Sequence, residues 1–200
     1  MKEIVLATRN PHKGEELASL LGDAGIRIRT LAEFPEAPEV EEDGETCEAN
    51  AIKKAVEVAR ATGVTAVADD TGLEVDALNG RPGPFAARYA GEGATYEDNC
   101  RKLLRELEGV PSDRRTARFL TVAAVASPGG EVQITQGVLE GTIAEACRGE
   151  RGFGYDPVFY IPRLGKTLAE LTPEEKNRIS HRATAFSQLR EHLKVLSSEC

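Results

Sequence analysis

A chain of 200 residues with 40% apolar content can bury the core of one domain, or of one domain with two lobes, and requires no second. Its net charge of −8 argues against nucleic acid as the main partner, because a duplex binder carries a basic face. No apolar run reaches the roughly 20 residues of a membrane helix, and no basic, apolar leader opens the chain, so a cytoplasmic protein is expected.

The first apolar run, Ile4 to Ala7, reads as a strand that empties into Thr8-Arg9-Asn10-Pro11-His12-Lys13. A helix is expected over Lys13 to Leu21, clear by Glu15, with free N–H groups at its start for an anion. Ile26 to Thr30 reads as extended, and Glu36 to Glu45 as an acidic loop. The next helix, Thr46 to Thr62, places Ile52, Ala55, Val56 and Ala59 on a buried face, with Lys53, Lys54 and Glu57 off or beside it and Gly63 as C-cap. Val64 to Ala68 predicts a short buried strand ending in Asp69-Asp70-Thr71-Gly72. A helix over Tyr96 to Leu107 opens on Thr95 and Asp98 in capping-box spacing. Two β-rich runs, Thr116 to Ala126 and Glu131 to Leu139, flank the turn Ser127-Pro128-Gly129-Gly130 and predict a hairpin. One last long helix is expected from Thr172-Pro173-Glu174-Glu175 to about Leu196. Strand–helix alternation followed by a hairpin predicts a mixed α/β sheet with helices on its faces.

Cysteines at 47, 100, 147 and 200 are too far apart in sequence for a metal knuckle or a redox dithiol and read as reduced, structural thiols. The chemistry concentrates elsewhere. Thr8 and Asn10 offer short hydrogen-bonding groups and Lys13 a point charge, which together read as a phosphate cradle. Asp69 and Asp70 sit at the carboxyl end of their strand, the edge where open α/β sheets bind ligands, and alternation points them oppositely. Acids near a phosphate site imply a divalent metal, for which Glu42 in Glu42-Asp43-Gly44 offers a second ligand; alone, that loop reads as a solvated acidic stretch. Lys54 reads as surface decoration unless its neighbours raise it.

Of the three histidines, His192 reads as a surface residue, whereas Ser180-His181-Arg182 groups three donors, with Lys176 one and a half turns before them on the same expected helix. Gly149 to Pro157 carries three glycines around Phe153 and Tyr155, which suits either backbone approach to a flat ligand or a turn with two core aromatics. Asp70-Thr71-Gly72 matches the triplet of aspartic proteases, but those enzymes need two triplets in a β-rich frame. A P-loop is absent from the sequence.

Taken in order, these motifs resemble the inosine triphosphate pyrophosphatase family, Ham1-like house-cleaning enzymes that hydrolyse non-standard purine nucleotides. The resemblance rests on Thr8-Arg9-Asn10-Pro11-His12-Lys13, Glu42 to Thr46 with Asn50-Ala51 and Lys54-Ala55, Asp69 to Leu73, Pro82-Gly83 with Ala87-Arg88-Tyr89, Phe153 to Pro157, Gly165-Lys166-Thr167 and Ser180-His181-Arg182. It spans nearly the whole chain. Cys47 departs from a common Phe and Ala86 from a common Ser.

The resemblance implies an elongated mixed β-sheet flanked by helices, with two lobes and a nucleotide cleft between them, a homodimer, and dependence on Mg²⁺. It implies conversion of ITP/dITP and XTP/dXTP to the monophosphate and pyrophosphate. Asp70 becomes the catalytic residue, and Glu42 with Asp70 the metal ligands. Thr8, Arg9, Asn10, Pro11, His12, Lys13, Lys54, Thr71, Phe153, Gly154, Tyr155, Asp156, Lys176, His181 and Arg182 become substrate-binding residues, with Asp69 acting behind Asp70. A broader nucleotide pyrophosphatase and a regulatory module that binds without hydrolysis are the rival readings.

Overall fold

Strands and helices alternate along the first half of the chain: β1 (Glu3–Leu6), α1 (Pro11–Leu21), β2 (Arg27–Thr30), α2 (Cys47–Thr62) and β3 (Ala66–Val75). The second half holds β4 (Pro82–Gly83), α3 (Tyr96–Glu106), β5 (Thr116–Ala126), β6 (Val132–Ile143), β7 (Phe159–Ile161), β8 (Lys166–Thr167), α4 (Pro173–Asn177) and α5 (His181–Ser198). This computed structural model describes residues 3–22 and 25–198. The strands form one mixed sheet in the order β2-β1-β3-β5-β6-β7-β8, with β4 paired to β3 off that path. β1 runs parallel to β2 and β3, placing Leu6 opposite both Thr30 and Val67. β7 runs antiparallel to β6 and β8. The α/β class expected from the alternation is the class observed.

The chain divides into two compact units, Met1–Asp70 with Thr121–Gly137 and His181–Cys200, and Thr71–Leu120 with Val138–Ser180. The first has strands that are apolar on both faces, as a covered parallel sheet requires. Alternate residues feed two cores. Val5, Ala66, Ala68, Val122 and Ala124 pack with Ala51, Ala55, Val58 and Ala59 of α2. Ile4, Leu6, Val67, Ala123 and Val125 pack with Leu17 and Leu21 of α1 and with Phe186 and Leu189 of α5. In the second unit Leu73, Val75, Leu103, Leu107, Phe119, Phe159 and Leu168 share a core, with the rings of Phe119 and Phe159 4.5 Å apart. Each fully buried Leu or Phe contributes roughly 1.5–3 kcal/mol.

Several expectations are corrected. α1 starts at Pro11, earlier than expected, because Asn10 caps it: the Asn10 carboxamide oxygen accepts from the amides of His12 (3.0 Å) and Lys13 (3.4 Å). Those amides are therefore not the free anion donors the sequence suggested. On α2 the fully buried set is Ala51, Ala55, Val58 and Ala59, with Ile52 and Val56 at its margin, and Lys54 is buried rather than decorative. β3 does not end before Asp69. Its pairing with β1 stops at Val67, but the strand continues beside β5 and pairs with β4 at Leu73 and Glu74. The two aspartates thus lie mid-strand, just beyond the end of β1.

The expected last helix is two helices. α4 opens on the Thr172 and Glu175 capping box and closes when the amides of Ile179 (3.1 Å) and Ser180 (2.9 Å) both turn back to the carbonyl of Lys176. α5 starts afresh at His181, directly after a serine, a residue type favoured at helix starts. Lys176 and His181 consequently do not share a helix. Cys47 and Cys100 are buried free thiols and Cys147 is an exposed one. Cys200 and the side chain of His192 lie outside the described residues.

Candidate active site

In the first unit, three helix segments bring side chains to the Asp69–Asp70 pair. From α2, Lys54 sets its ammonium 2.5 Å from Glu42 Oε1 and 3.4 Å from Asp70 Oδ1. Asn50, one turn earlier, donates to Asp70 Oδ2 (3.2 Å) and accepts the Gly44 amide (2.8 Å). That clasp explains the glycine: a Cβ at Gly44 would sit 2.6 Å from the Asn50 carboxamide oxygen. From α1, Lys13 Nζ lies 3.5 Å from Asp69 Oδ2. From α5, Arg182 donates through Nε to Asp69 (3.1 Å) and through Nη1 to Glu16 (2.7 Å).

The surroundings push these groups apart. At Asp69 burial works to raise the carboxyl, but Lys13, Arg182 and Lys54 outweigh it and hold it well below the usual range. At Asp70 burial prevails over Lys54 and Lys13, Glu42 adds to it, and the carboxyl is raised. Glu42 is also opposed by burial, yet the charge and hydrogen bond of Lys54 keep it lowered. Burial works against the charge of Lys54, but Asp70, Glu42 and Asp69 hold its ammonium protonated.

The rest of the expected cradle is less uniform. Thr8 Oγ1 accepts the Asn10 amide (3.2 Å), Arg9 donates to the Ala37 carbonyl (2.9 Å), and Pro11 and His12 are exposed at the start of α1. Asp43 pairs with Lys53 (2.7 Å) at the surface, so within the acidic loop Glu42 alone turns to Lys54. Among the described residues no three His, Cys, Asp or Glu side chains converge as a metal cage. Two carboxylates meeting on one ammonium, Glu42 and Asp70, are the donor set Mg²⁺ takes when waters and substrate phosphates complete its shell, so the residues fit that ion.

The second unit holds the other expected group. Asp156 is buried, and its Oδ2 accepts from the Phe153 amide (2.9 Å) and from Lys176 Nζ (2.7 Å). The Lys176 ammonium lies 4.9 Å from the centre of the Phe153 ring, which stays half-buried beside Tyr96. Gly152, at φ +75°, leaves the room that the Asp156 carboxylate fills. Gly154 takes φ +64° and its carbonyl accepts from the Cys100 thiol. Tyr155 lies in the core and donates to the Ala86 carbonyl (2.8 Å), so of the two aromatics only Phe153 offers a face. Thr71 is half-buried on β3.

Asn50 and Glu16 carry structural roles that the sequence reading did not assign. Asn50 was legible as a polar residue one helical turn before Lys54, hence on the same face. Glu16 stands three residues after Lys13 on α1, the same kind of spacing.

Comparison with known proteins gives a concordant picture. The model of the Ham1 family matches residues 4–192. A dITP/XTP pyrophosphatase of Geobacillus kaustophilus is 54% identical over 191 residues, covering 96% of this chain and 94% of that protein. A solved HAM1 protein from Coxiella burnetii superposes with a TM-score of 0.88 at 46% identity, covering 96% of this chain and 98% of its own. The Ham1 protein of Staphylococcus aureus gives 0.86 at 42% identity, with the same coverage.

Proposed function

The chain belongs to the Ham1 family, and from that premise we propose that it hydrolyses non-standard purine nucleoside triphosphates, ITP/dITP and XTP/dXTP, to the monophosphate and pyrophosphate. The observation that carries the chemistry is the Glu42–Lys54–Asp70 cluster beside Asp69. It sets buried carboxylates next to fixed cations, which is what a water-activating base and a polyphosphate both need.

In this reading Asp70, beside the Lys54 ammonium, takes the proton of the attacking water. Asn50 fixes the carboxylate that does so. Lys13 and Lys54, with Thr8 and Asn10, neutralise the charge that grows on the pyrophosphate leaving group. Glu42 and Asp70 would hold Mg²⁺. When bound, that ion lowers the pKa of a ligated water and offsets phosphate charge.

His181 and Arg182 donate to the 6-oxo group of hypoxanthine or xanthine, where adenine presents a donor instead. Arg182 is held in place through Nε to Asp69 and through Nη1 to Glu16, which fixes the guanidinium that meets the base. Phe153 supplies a stacking face worth about 1–3 kcal/mol. Lys176 and Asp156 hold that ring and its turn in place. Arg9, Pro11, His12, Thr71, Gly154 and Tyr155 shape the backbone that carries these groups. The enzyme is proposed to act as a homodimer in the cytoplasm. No helix among the described residues is long and apolar enough to cross a membrane.

The test is pyrophosphate release from ITP, XTP, GTP, ATP and a pyrimidine triphosphate, each with Mg²⁺ and with chelator. Metal-dependent turnover of ITP and XTP alone is expected. Turnover of all five would replace this reading by a broad pyrophosphatase, and tight binding without release by a nucleotide-binding module.

A further inference from the structure

β6 presents alternate residues to opposite sides: Gln136, Val138 and Glu140 are exposed, while Thr135 and Gly137 are covered. Both covered positions meet the start of α5, between His181 and Ala185. Thr135 Oγ1 donates to the Ala185 carbonyl at 2.8 Å, in a buried setting. At Gly137 there is no room for any side chain. A Cβ there would overlap the His181 carbonyl oxygen and stand 2.7 Å from the Ala185 nitrogen and 3.0 Å from the His181 carbonyl carbon. In an α-helix the carbonyl of one residue accepts the amide four positions on, so Gly137 presses on the peptide groups that open α5. Gly137 sets how closely the helix lies on the strand, and Thr135 sets its position along it.

We propose that Gly137 and Thr135 are positioning residues for base selection: they seat the first turn of α5 and thereby aim His181 and Arg182. The inference rests on the reading that these two side chains recognise the 6-oxo base. Neither Gly137 nor Thr135 touches the catalytic carboxylates or the lysines that pair with them. The connection is mechanical. His181 and Arg182 are the first two residues of α5, both are buried, and Arg182 spans to Asp69 and Glu16. A helix start displaced to admit one methyl moves by the order of 1 Å, and a misplacement of that size can cost about 100-fold in rate.

The measurement is the ratio of kcat/KM for ITP to that for ATP, taken with both substrates competing in one sample. Partial unfolding lowers both numbers equally, so a merely structural loss leaves the ratio unchanged. Gly137→Ala and Thr135→Val are each expected to lower it at least 10-fold, and Thr135→Ser, which keeps the hydroxyl, to restore it. Should Gly137→Ala fail to fold, the Thr135 pair carries the test alone, since valine matches threonine in shape. His181→Gln is run alongside as the control for the underlying reading. A ratio that falls with His181→Gln but stays unchanged in Thr135→Val and in folded Gly137→Ala overturns the positioning role alone. A ratio untouched by His181→Gln overturns the base-recognition reading and this inference with it.

Discussion

Replacing Lys54 by Met removes a cation that both Glu42 and Asp70 contact, while keeping a side chain of similar length on α2. Lys54 and Asp70 are nearly covered, at 10% and 5% side-chain exposure, and sit 3.4 Å apart. At an effective dielectric of about 20, two unit charges at that distance attract by roughly 5 kcal/mol. Desolvation offsets much of that in the intact pair, but removing one partner leaves the other buried and uncompensated, at a cost of about 3–5 kcal/mol. Glu42 is 32% exposed and adds less, because water screens it. At about 2–4 °C per kcal/mol for a chain of this length, Tm is expected to fall by roughly 6–20 °C. The chain has no tryptophan, so urea unfolding is followed by circular dichroism, at pH 7.5 with chelator, comparing midpoints at unchanged slope. The double variant Lys54→Met/Asp70→Asn removes the stranded charge and is expected to recover most of the loss. A single variant within about 0.5 kcal/mol of the parent, or a double variant no better than the single, would refute the account of a buried charge held by Lys54.

Asp70→Asn is expected to lower turnover of ITP by about 10²–10⁴-fold, the usual contribution of a positioned base, with an unchanged circular dichroism spectrum; retained activity would remove Asp70 from the reaction. Asn50→Ala deletes a hydrogen bond to that carboxylate, a loss of about 1.5–3 kcal/mol for a charged acceptor, and is expected to lower kcat roughly 10–100-fold with little change in KM; a change confined to KM would place Asn50 on substrate instead. In the second unit, burial raises the Cys100 thiol to about 12 and pushes the Tyr155 phenol upward. The unfolded chain gives up these protons first, near 8.5 and 10. Stability is therefore full below about pH 8.5 and falls as pH rises, by up to about 1.4 kcal/mol per pH unit for each group. A melting temperature that stays level from pH 8 to 11 would contradict that sign.

The elements that the sequence made legible are those whose signal is local. Thr46, Thr95 and Thr172 each cap a helix through their own side chains, and Gly63 ends α2 in the left-handed conformation that favours glycine. The misread elements depend on neighbours distant in the chain. Asp69-Asp70-Thr71-Gly72 has the composition of a turn, but it stays extended inside a strand that lies beside β5 and goes on to pair with β4 at Leu73 and Glu74. The break before His181 carries no proline or glycine, and shows only in the amides that fold back to Lys176. Lys54 reads as one more helical lysine. Its burial is decided by Glu42, 12 positions earlier, and Asp70, 16 later.

The division of labour between Asp69 and Asp70 follows from the period of two along β3. Val67 packs on the side of α1 and α5, Ala66 and Ala68 on the side of α2. Alternation carries the same assignment onward, and the contacts agree: Asp69 meets Lys13 of α1 and Arg182 of α5, while Asp70 meets Lys54 and Asn50 of α2. Lys13, Arg182 and Lys54 outweigh burial at Asp69 and hold its carboxyl low. At Asp70 the charges of Lys54, itself shared with Glu42, and of Lys13 do not, and burial lifts the carboxyl. Adjacent carboxylates driven in opposite directions mark separate roles in acid–base chemistry. The strand thus supplies a fixed anion that meets α1 and α5, and a second carboxylate facing α2, the one proposed as proton acceptor. A shift of one residue in the register of β3 would exchange those roles, which is why the apolar residues that lock the register, Ala66 to Ala68, stand directly before the pair.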